Sequence, residues 1–134
     1  MADIYGVVLP IPHSGVERLL SGEKDVLIKY GKFNHLCGGC IIQFYDSHVQ
    51  GVVGEATISE VEFLTATEAE KKFGERIFLA KDEFKKYTSG ATTWGPPRKK
   101  ERIMTVCVLT KPKSYSRVQK PDIKMNMFGH YLKR

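Results

Sequence analysis

Runs of β-branched and other apolar residues recur along this chain of 134 residues, separated by glycine, proline and polar residues. Such runs predict strands, because branched side chains pack well on a pleated surface. The fifth run, 102–110, is apolar on both faces, which predicts a central strand. Pro10, Pro12 and the Lys111-Pro112 pair are predicted to end strands, since proline donates no backbone hydrogen bond. The predicted strands span residues 4–9, 26–30, 40–45, 51–63 and 102–110, with a shorter candidate at 115–118.

Three other segments carry the signals of short helices. Ser14 and Glu17 have the spacing of a capping box, and Thr67 and Glu70 repeat it, so a helix start is predicted at each pair. Gly22 follows the first helix, where a left-handed residue ends a helix without a steric penalty. The predicted helices are residues 15–21, a helix of about two turns that ends at Gly74, and residues 81–87.

Together these elements predict one domain over residues 1–134, of mixed α+β class but mainly β. Two or three short helices on five to seven strands suit a small closed β-barrel with helical caps, although the pattern fits an open α+β sheet equally well. Gly54, in mid-strand, predicts the bulge that a small barrel needs. No apolar run approaches the roughly 20 residues of a membrane span. No signal-peptide pattern precedes the first strand, so a cytoplasmic protein is expected.

The charge of the chain is unevenly distributed. Residues 1–97 hold 10 Lys or Arg against 13 Asp or Glu, whereas residues 98–134 hold 11 against 2, so the two parts carry −3 and +9. A basic extension from about residue 111, in which Tyr115, Phe128 and Tyr131 lie among the charges, favours a polyanion partner. The competing interpretation is a solvated tail that keeps the protein soluble.

Two stretches hold the candidate binding residues. The first surrounds the predicted second strand, where basic side chains form a rim beside an apolar strand. In the second, Trp94 offers a stacking platform beside a rigid Pro96-Pro97 turn and a basic cluster that suits phosphate. Trp94 fits equally well as an apolar plug at the open end of the barrel. The candidate residues are Lys24, Lys29, Tyr30, Lys32, Trp94, Arg98, Lys99, Lys100 and Arg102.

Gly22-Glu23-Lys24, followed by an apolar strand and Lys29, resembles the signature of the ASCH domains, a branch of the PUA-like superfamily of small β-barrels. With its 94–100 run and its 127–131 ending, the whole chain is similar to an archaeal family of that superfamily. The resemblance implies a PUA-like barrel, monomeric or weakly dimeric, that binds RNA or a modified nucleotide without a cofactor. The candidates from 24 to 32 would form one wall of its pocket, and those from 94 to 102 the opposite wall.

The same resemblance implies an alternative, because some ASCH proteins resemble small amidohydrolases that deacylate a modified cytidine such as N4-acetylcytidine. Their signature has a lysine, a threonine three residues later and a glutamate. Lys24 matches the lysine, but Leu27 stands at the threonine position. The candidate acids are Glu55, Asp82 and Glu83. Binding without catalysis is therefore the leading hypothesis, and a protein-interaction module with a basic tail is the third.

His35, Cys37 and Cys40 have a spacing that would supply three of the four ligands of a tetrahedral zinc ion. The other histidines and Cys107 stand singly along the chain, so no metal site is predicted. A redox pair, or core packing beside a glycine turn, are the other interpretations of this motif. The odd number of cysteines, without a signal peptide, indicates reduced thiols.

Overall fold

The computed structural model describes residues 4–88, 103–120 and 129–133. They form six strands, three short helices and one 3-10 turn. The elements are β1 (Ile4–Ile11), α1 (His13–Ser21), β2 (Val26–Tyr30), β3 (Ile41–Asp46), β4 (Gly51–Leu64), α2 (Ala66–Phe73), a 3-10 turn (Gly74–Arg76), α3 (Lys81–Thr88), β5 (Met104–Gln119) and β6 (His130–Lys133).

The strands form one sheet in the order β2-β5-β4-β3-β1-β6. Only β1 and β3 run parallel, and the other neighbouring pairs are antiparallel. The sheet curls into a half-barrel, and α1 packs against β3, β4 and β5. Among the described residues, no pairing joins the end strands β2 and β6. The mainly β class is therefore confirmed, whereas closure of the barrel stays a prediction.

The core packs α1, α2 and α3 against the strands of the sheet. In the parallel pair, Val7 lies beside Ile42 and Leu9 beside Phe44, and each of these side chains is at most 2% exposed. Leu19 of α1 is buried to the same degree. Removing this apolar surface from water supplies the main favourable free energy of folding.

Gly54 marks a bulge, as its position in the strand predicted. The pairing register of β4 shifts beside it on both sides, toward β3 and toward β5. A Cβ atom at Gly54 would lie 2.7 Å from Cδ2 of Leu20 and 2.7 Å from the carbonyl oxygen of Lys113. The missing side chain therefore lets α1 and β5 approach β4 closely.

α1 and α2 begin differently from prediction, whereas α3 begins at Lys81 as predicted. The Ser14 capping box is wrong: α1 begins at His13 after Pro12, without a side-chain cap, and the Ser14 hydroxyl instead donates to Glu83. The second capping box lies two residues earlier than predicted, with Thr65 at the N-cap and Glu68 reaching back to it. Thr65 directly follows β4, so this helix begins where the strand ends. Gly22 ends α1 as predicted, with φ of 82°.

β1 ends before Pro12 as predicted, but β1 runs through Pro10 and β5 runs through Pro112, which were also predicted to end strands. Pro10 lies within β1, because the described pairs with β6 stop at Val8 and no ladder hydrogen bond is needed from Pro10 on that side. β5 continues past Lys111-Pro112 to Gln119. Lys111 takes φ of 52°, and the register jumps there, so the two residues bulge out of the ladder.

Candidate nucleotide-binding site

Lys24 lies in the turn between α1 and β2, and hydrogen bonds hold this turn to the 3-10 turn. Its Nζ donates to the carbonyl oxygen of Glu75. Beside it, Asp25 accepts two hydrogen bonds from Arg76, at 3.0 Å from Nε and 2.8 Å from Nη2. Such a bidentate pair fixes geometry as well as contributing energy. The side chain of Lys24 thus has a defined position.

A cavity of about 720 Å³ adjoins Lys24, and we call it the helical cavity because α2 and α3 contribute to its walls. Small-molecule sites in proteins range from roughly 300 to 1,000 Å³. Its floor is apolar, with Ile77 2% and Phe84 7% exposed. The lining residues are Lys24, Glu70, Gly74, Glu75, Ile77, Leu79, Ala80, Lys81, Phe84 and Lys85. Three lysines and two glutamates therefore line the cavity around an apolar floor.

An ion pair anchors α3, which carries Lys81 and Lys85. Arg18 of α1 contacts Glu83 at 2.5 Å and donates to the Phe78 carbonyl oxygen at 3.1 Å. The Ala80 backbone N–H also donates to Glu83, at 2.8 Å. This N–H, and then Arg18, hold the pKa of the Glu83 carboxyl below its ordinary value. Glu83 was a candidate acid, and its contacts give it a role in positioning the lysine-bearing helix.

A second and smaller cavity, of about 250 Å³, lies at the other end of β2. We call it the seam cavity, because residues of β1, β2 and β6 line it. Thr105 orders its loop: the Thr105 hydroxyl donates to the Gly31 carbonyl oxygen at 2.6 Å and accepts from the Phe33 N–H at 2.9 Å. The lining residues are Val7, Tyr30, Gly31, Lys32, Phe33, Gly129 and Tyr131.

Aromatic rings dominate the seam cavity. The Phe33 and Tyr131 rings meet edge to face with centroids 6.1 Å apart, and the His35 ring stands edge-on to Tyr131 at 5.2 Å. Burial raises the pKa of Tyr131. The Lys32 ammonium lies 6.0 Å from the centre of the Phe63 ring. This cavity thus offers ring faces and one cation, in contrast to the three cations of the helical cavity.

The predicted wall of four residues is divided among three places. Lys24 lines the helical cavity, whereas Tyr30 and Lys32 line the seam cavity. Lys29 lines neither: its Nζ lies 3.3 Å from the carbonyl oxygen of Pro10, and burial lowers its pKa. The opposite wall, Trp94, Arg98, Lys99, Lys100 and Arg102, lies outside the described residues.

Sequence reasoning missed Lys81 and Lys85 as candidates. They stand four apart on α3, so they share one helix face. That spacing was readable from the sequence, but their proximity to Lys24 depends on how α3 packs. Glu55, another candidate acid, accepts a hydrogen bond from the Tyr115 hydroxyl at 2.7 Å, and it does not line the helical cavity.

The zinc motif shows no metal geometry. Within the described residues, no group of three or more His, Cys, Asp and Glu side chains is placed to hold an ion. The Sγ atoms of Cys37 and Cys40 are 3.7 Å apart, while the His35 ring packs on Tyr131. No helix in the described part of the chain is long and apolar enough to cross a membrane.

Residues 4–134 match the family model described as "Domain of unknown function (DUF365)". The chain belongs to the DUF365 family. A relative in Methanocaldococcus jannaschii, "Uncharacterized protein MJECS03", is 35% identical over 95 residues, which is 69% of this chain and 88% of that protein. The expected similarity to archaeal proteins thus agrees with this archaeal relative.

Solved structures of the ASCH protein from Zymomonas mobilis resemble this DUF365 chain in fold. The unsubstituted protein gives a TM-score of 0.68 and 16% identity, with 86% of this chain and 73% of that chain covered. A serine-to-alanine mutant gives 0.69 and 16%, with 89% and 77% covered. A likeness at this identity shows the fold alone, and it supports the ASCH-like architecture expected from the Gly22-Glu23-Lys24 motif.

Proposed function

We propose that this DUF365 protein binds RNA or a modified nucleotide, with the helical cavity as the nucleotide pocket and the PUA-like barrel as its scaffold. The observation that carries the proposal is the convergence of Lys24, Lys81 and Lys85 around the apolar floor. A nucleotide has the complementary chemistry, because its base covers apolar surface and its phosphate attracts ammonium groups. Phe84, at 7% exposure, lies on that floor.

The outer half of β5 supplies a path for the backbone of a longer RNA. β2 pairs with β5 only as far as Val108, so beyond it this edge of β5 meets no described strand. Residues 110–120, which are the exposed half of β5 and the residue after it, hold no acidic residue but four basic ones, Lys111, Lys113, Arg117 and Lys120. Phosphates bound along this edge would release counterions, which favours association at low salt.

Filter binding of a short single-stranded RNA tests this proposal over roughly 50 to 200 mM salt. If Lys111, Lys113 and Arg117 each neutralise one phosphate, the slope of log K against log salt is about −2 for a single strand. Arg117→Gln should weaken binding and make the slope shallower by about 0.7. Lys71→Gln is the matched control, because Lys71 is exposed on α2 and does not line the helical cavity. Binding that is absent, or indifferent to salt, contradicts the proposal.

One observation favours hydrolysis as a second candidate: Glu70 and Glu75 line the same cavity as Lys24. Against it, Leu27 stands at the threonine position of the amidohydrolase signature, and leucine has no hydroxyl. Leu27 is also buried, at 2% exposure. Incubation with N4-acetylcytidine separates the two functions. Release of acetate that Lys24→Ala abolishes would establish an enzyme, whereas binding without release supports the leading proposal.

A further inference from the structure

Cys37 and Cys40 stand at the two ends of a tight turn that leads into β3. The Cys40 N–H donates to the Cys37 carbonyl oxygen at 3.1 Å, and the two Sγ atoms lie 3.7 Å apart. Gly38 and Gly39 lie between them, and Gly39 takes φ of +94°, a conformation that glycine adopts readily. The two thiols therefore face each other at the ends of a four-residue turn.

This geometry suits a disulfide bond. A turn of this kind brings its first and fourth Cα atoms within about 7 Å, and disulfides usually join Cα atoms about 4.4 to 6.8 Å apart. An S–S bond is about 2.05 Å long, so the two sulfur atoms need to approach by roughly 1.7 Å. Small rotations about the side-chain bonds of Cys37 and Cys40 can supply this movement, because the backbone turn is already closed.

The two thiols have different surroundings. Cys40 is 5% exposed, and its turn is held to β4, where the Ile58 N–H donates to the Cys40 carbonyl oxygen at 2.8 Å and the Ile58 carbonyl oxygen accepts from the Gly39 N–H at 2.8 Å. Cys37 is exposed. A small reagent therefore reaches Cys37 first, and Cys40 is held beside it as the resolving thiol.

We propose that Cys37 and Cys40 form a reversible dithiol–disulfide couple that exchanges with a low-molecular-weight disulfide. The Cys37 thiolate attacks one sulfur of the reagent, forming a mixed disulfide and expelling one thiolate. The Cys40 thiolate then attacks the Cys37 sulfur, closes the intramolecular disulfide and expels the second thiolate. The protein dithiol loses two electrons and two protons, and the reagent disulfide takes them up as two thiols.

The third cysteine gives an internal reference. Cys107 is 2% exposed, and burial raises the pKa of its thiol to about 12. It therefore stays protonated and shielded at neutral pH. The hydrogen bond to Cys40 raises the pKa of Cys37. At pH values below that pKa, the rate of exchange should rise about tenfold for each unit increase in pH, because the thiolate fraction rises in the same proportion.

The experiment equilibrates the folded protein with oxidised and reduced glutathione, then alkylates it in denaturant and measures its mass. The wild type should lose two alkylatable thiols of its three, with the fragment spanning residues 37–40 lighter by two hydrogen atoms. Cys37→Ser should keep both of its remaining thiols, and Cys37 is exposed, so the fold should tolerate this change. Cys107→Ala should still form the bond.

Two results would overturn the proposal. In one, all three thiols of the wild type stay alkylatable at every glutathione ratio. In the other, Cys37 keeps a stable mixed disulfide with glutathione, which would show that Cys40 does not resolve it. Circular dichroism of each variant checks that the fold is intact, so that a negative result refers to the thiols.

Discussion

The helical cavity and the seam cavity lie beyond opposite ends of one short strand, β2, and they are built differently. Lysines and an ion-paired helix shape the first, whereas aromatic rings and one buried hydroxyl shape the second. From Lys24 to Tyr30 are six residue steps, or roughly 20 Å in extended chain. Residues close in sequence thus line separate cavities, whereas Lys24 and Lys81, 57 positions apart, line the same one.

The largest effect is expected at the seam, from Thr105→Val. This change keeps the shape of the side chain, which is 2% exposed, but leaves the Gly31 carbonyl and the Phe33 N–H without the Thr105 hydroxyl. Leaving a buried polar group unpaired costs about 1 to 3 kcal/mol, so urea unfolding should show a loss of about 3 kcal/mol.

Ser59→Ala is the control for this change, because the Ser59 hydroxyl makes an exposed hydrogen bond to the Val108 carbonyl oxygen. Ser59→Ala should lose less than about 0.5 kcal/mol of unfolding free energy. Equal losses of unfolding free energy in the two variants would show that the loop lining the seam cavity does not depend on the Thr105 hydroxyl.

Next in size is the effect of one charge on nucleotide affinity, which distinguishes the two cavities directly. Lys24→Gln should weaken the binding of a mononucleotide about tenfold, the value of one charge-assisted hydrogen bond. Lys32→Gln, at the seam cavity, should change it by less than about twofold. Calorimetric titration of both variants measures this, and the reverse ranking would place the nucleotide in the seam cavity.

The smallest effect concerns pH. The carboxylate of Glu83, which titrates, anchors α3 at the helical cavity, whereas the hydroxyl of Thr105, which does not titrate, orders the loop at the seam cavity. The pKa of Glu83 is lowered by folding, so its stabilisation is complete above the unfolded pKa of about 4.3 and is lost as the pH falls through the folded value. At neutral pH, the free energy of unfolding of the wild type should exceed that of Glu83→Gln by about 1 kcal/mol.

Urea unfolding over a pH series checks this expectation. The difference between the wild type and Glu83→Gln should vanish in acid, whereas the difference between the wild type and Thr105→Val should stay flat, because Thr105 does not titrate. A Glu83→Gln difference that persists unchanged in acid would show that the ionised carboxylate does not anchor α3.

Features that depend on residues close in the sequence were predictable from the sequence. Gly22 ends α1 and Gly54 marks a bulge, because each position depends on backbone conformation or close approach that glycine alone permits easily. The basic signal of residues 98–134 was also visible, and part of it falls on the exposed half of β5. Fold class followed from such short-range patterns.

The remainder depends on contacts between distant residues. Pro10 was predicted to end β1, but the described pairs of β1 with β6 stop at Val8, so no ladder hydrogen bond to β6 is needed from Pro10. The capping boxes at Ser14 and Thr67 were plausible locally, yet Thr65 lies where β4 ends and takes the cap. Likewise, no spacing in the sequence shows that Lys24 shares a cavity with α3, since this depends on how α3 packs, and Arg18 pairs with Glu83 to hold it.

The pairing of β1 with β6 has a consequence for the order of assembly. Residues 4–8 cannot complete their hydrogen bonds until residues 130–133 have been synthesised and have come back across the sheet. Contacts so far apart in the chain make folding slow, and until then one border of β1 is open to association with another molecule. Nascent chains should therefore need protection from aggregation until residues 130–133 emerge, after most of the core is already present.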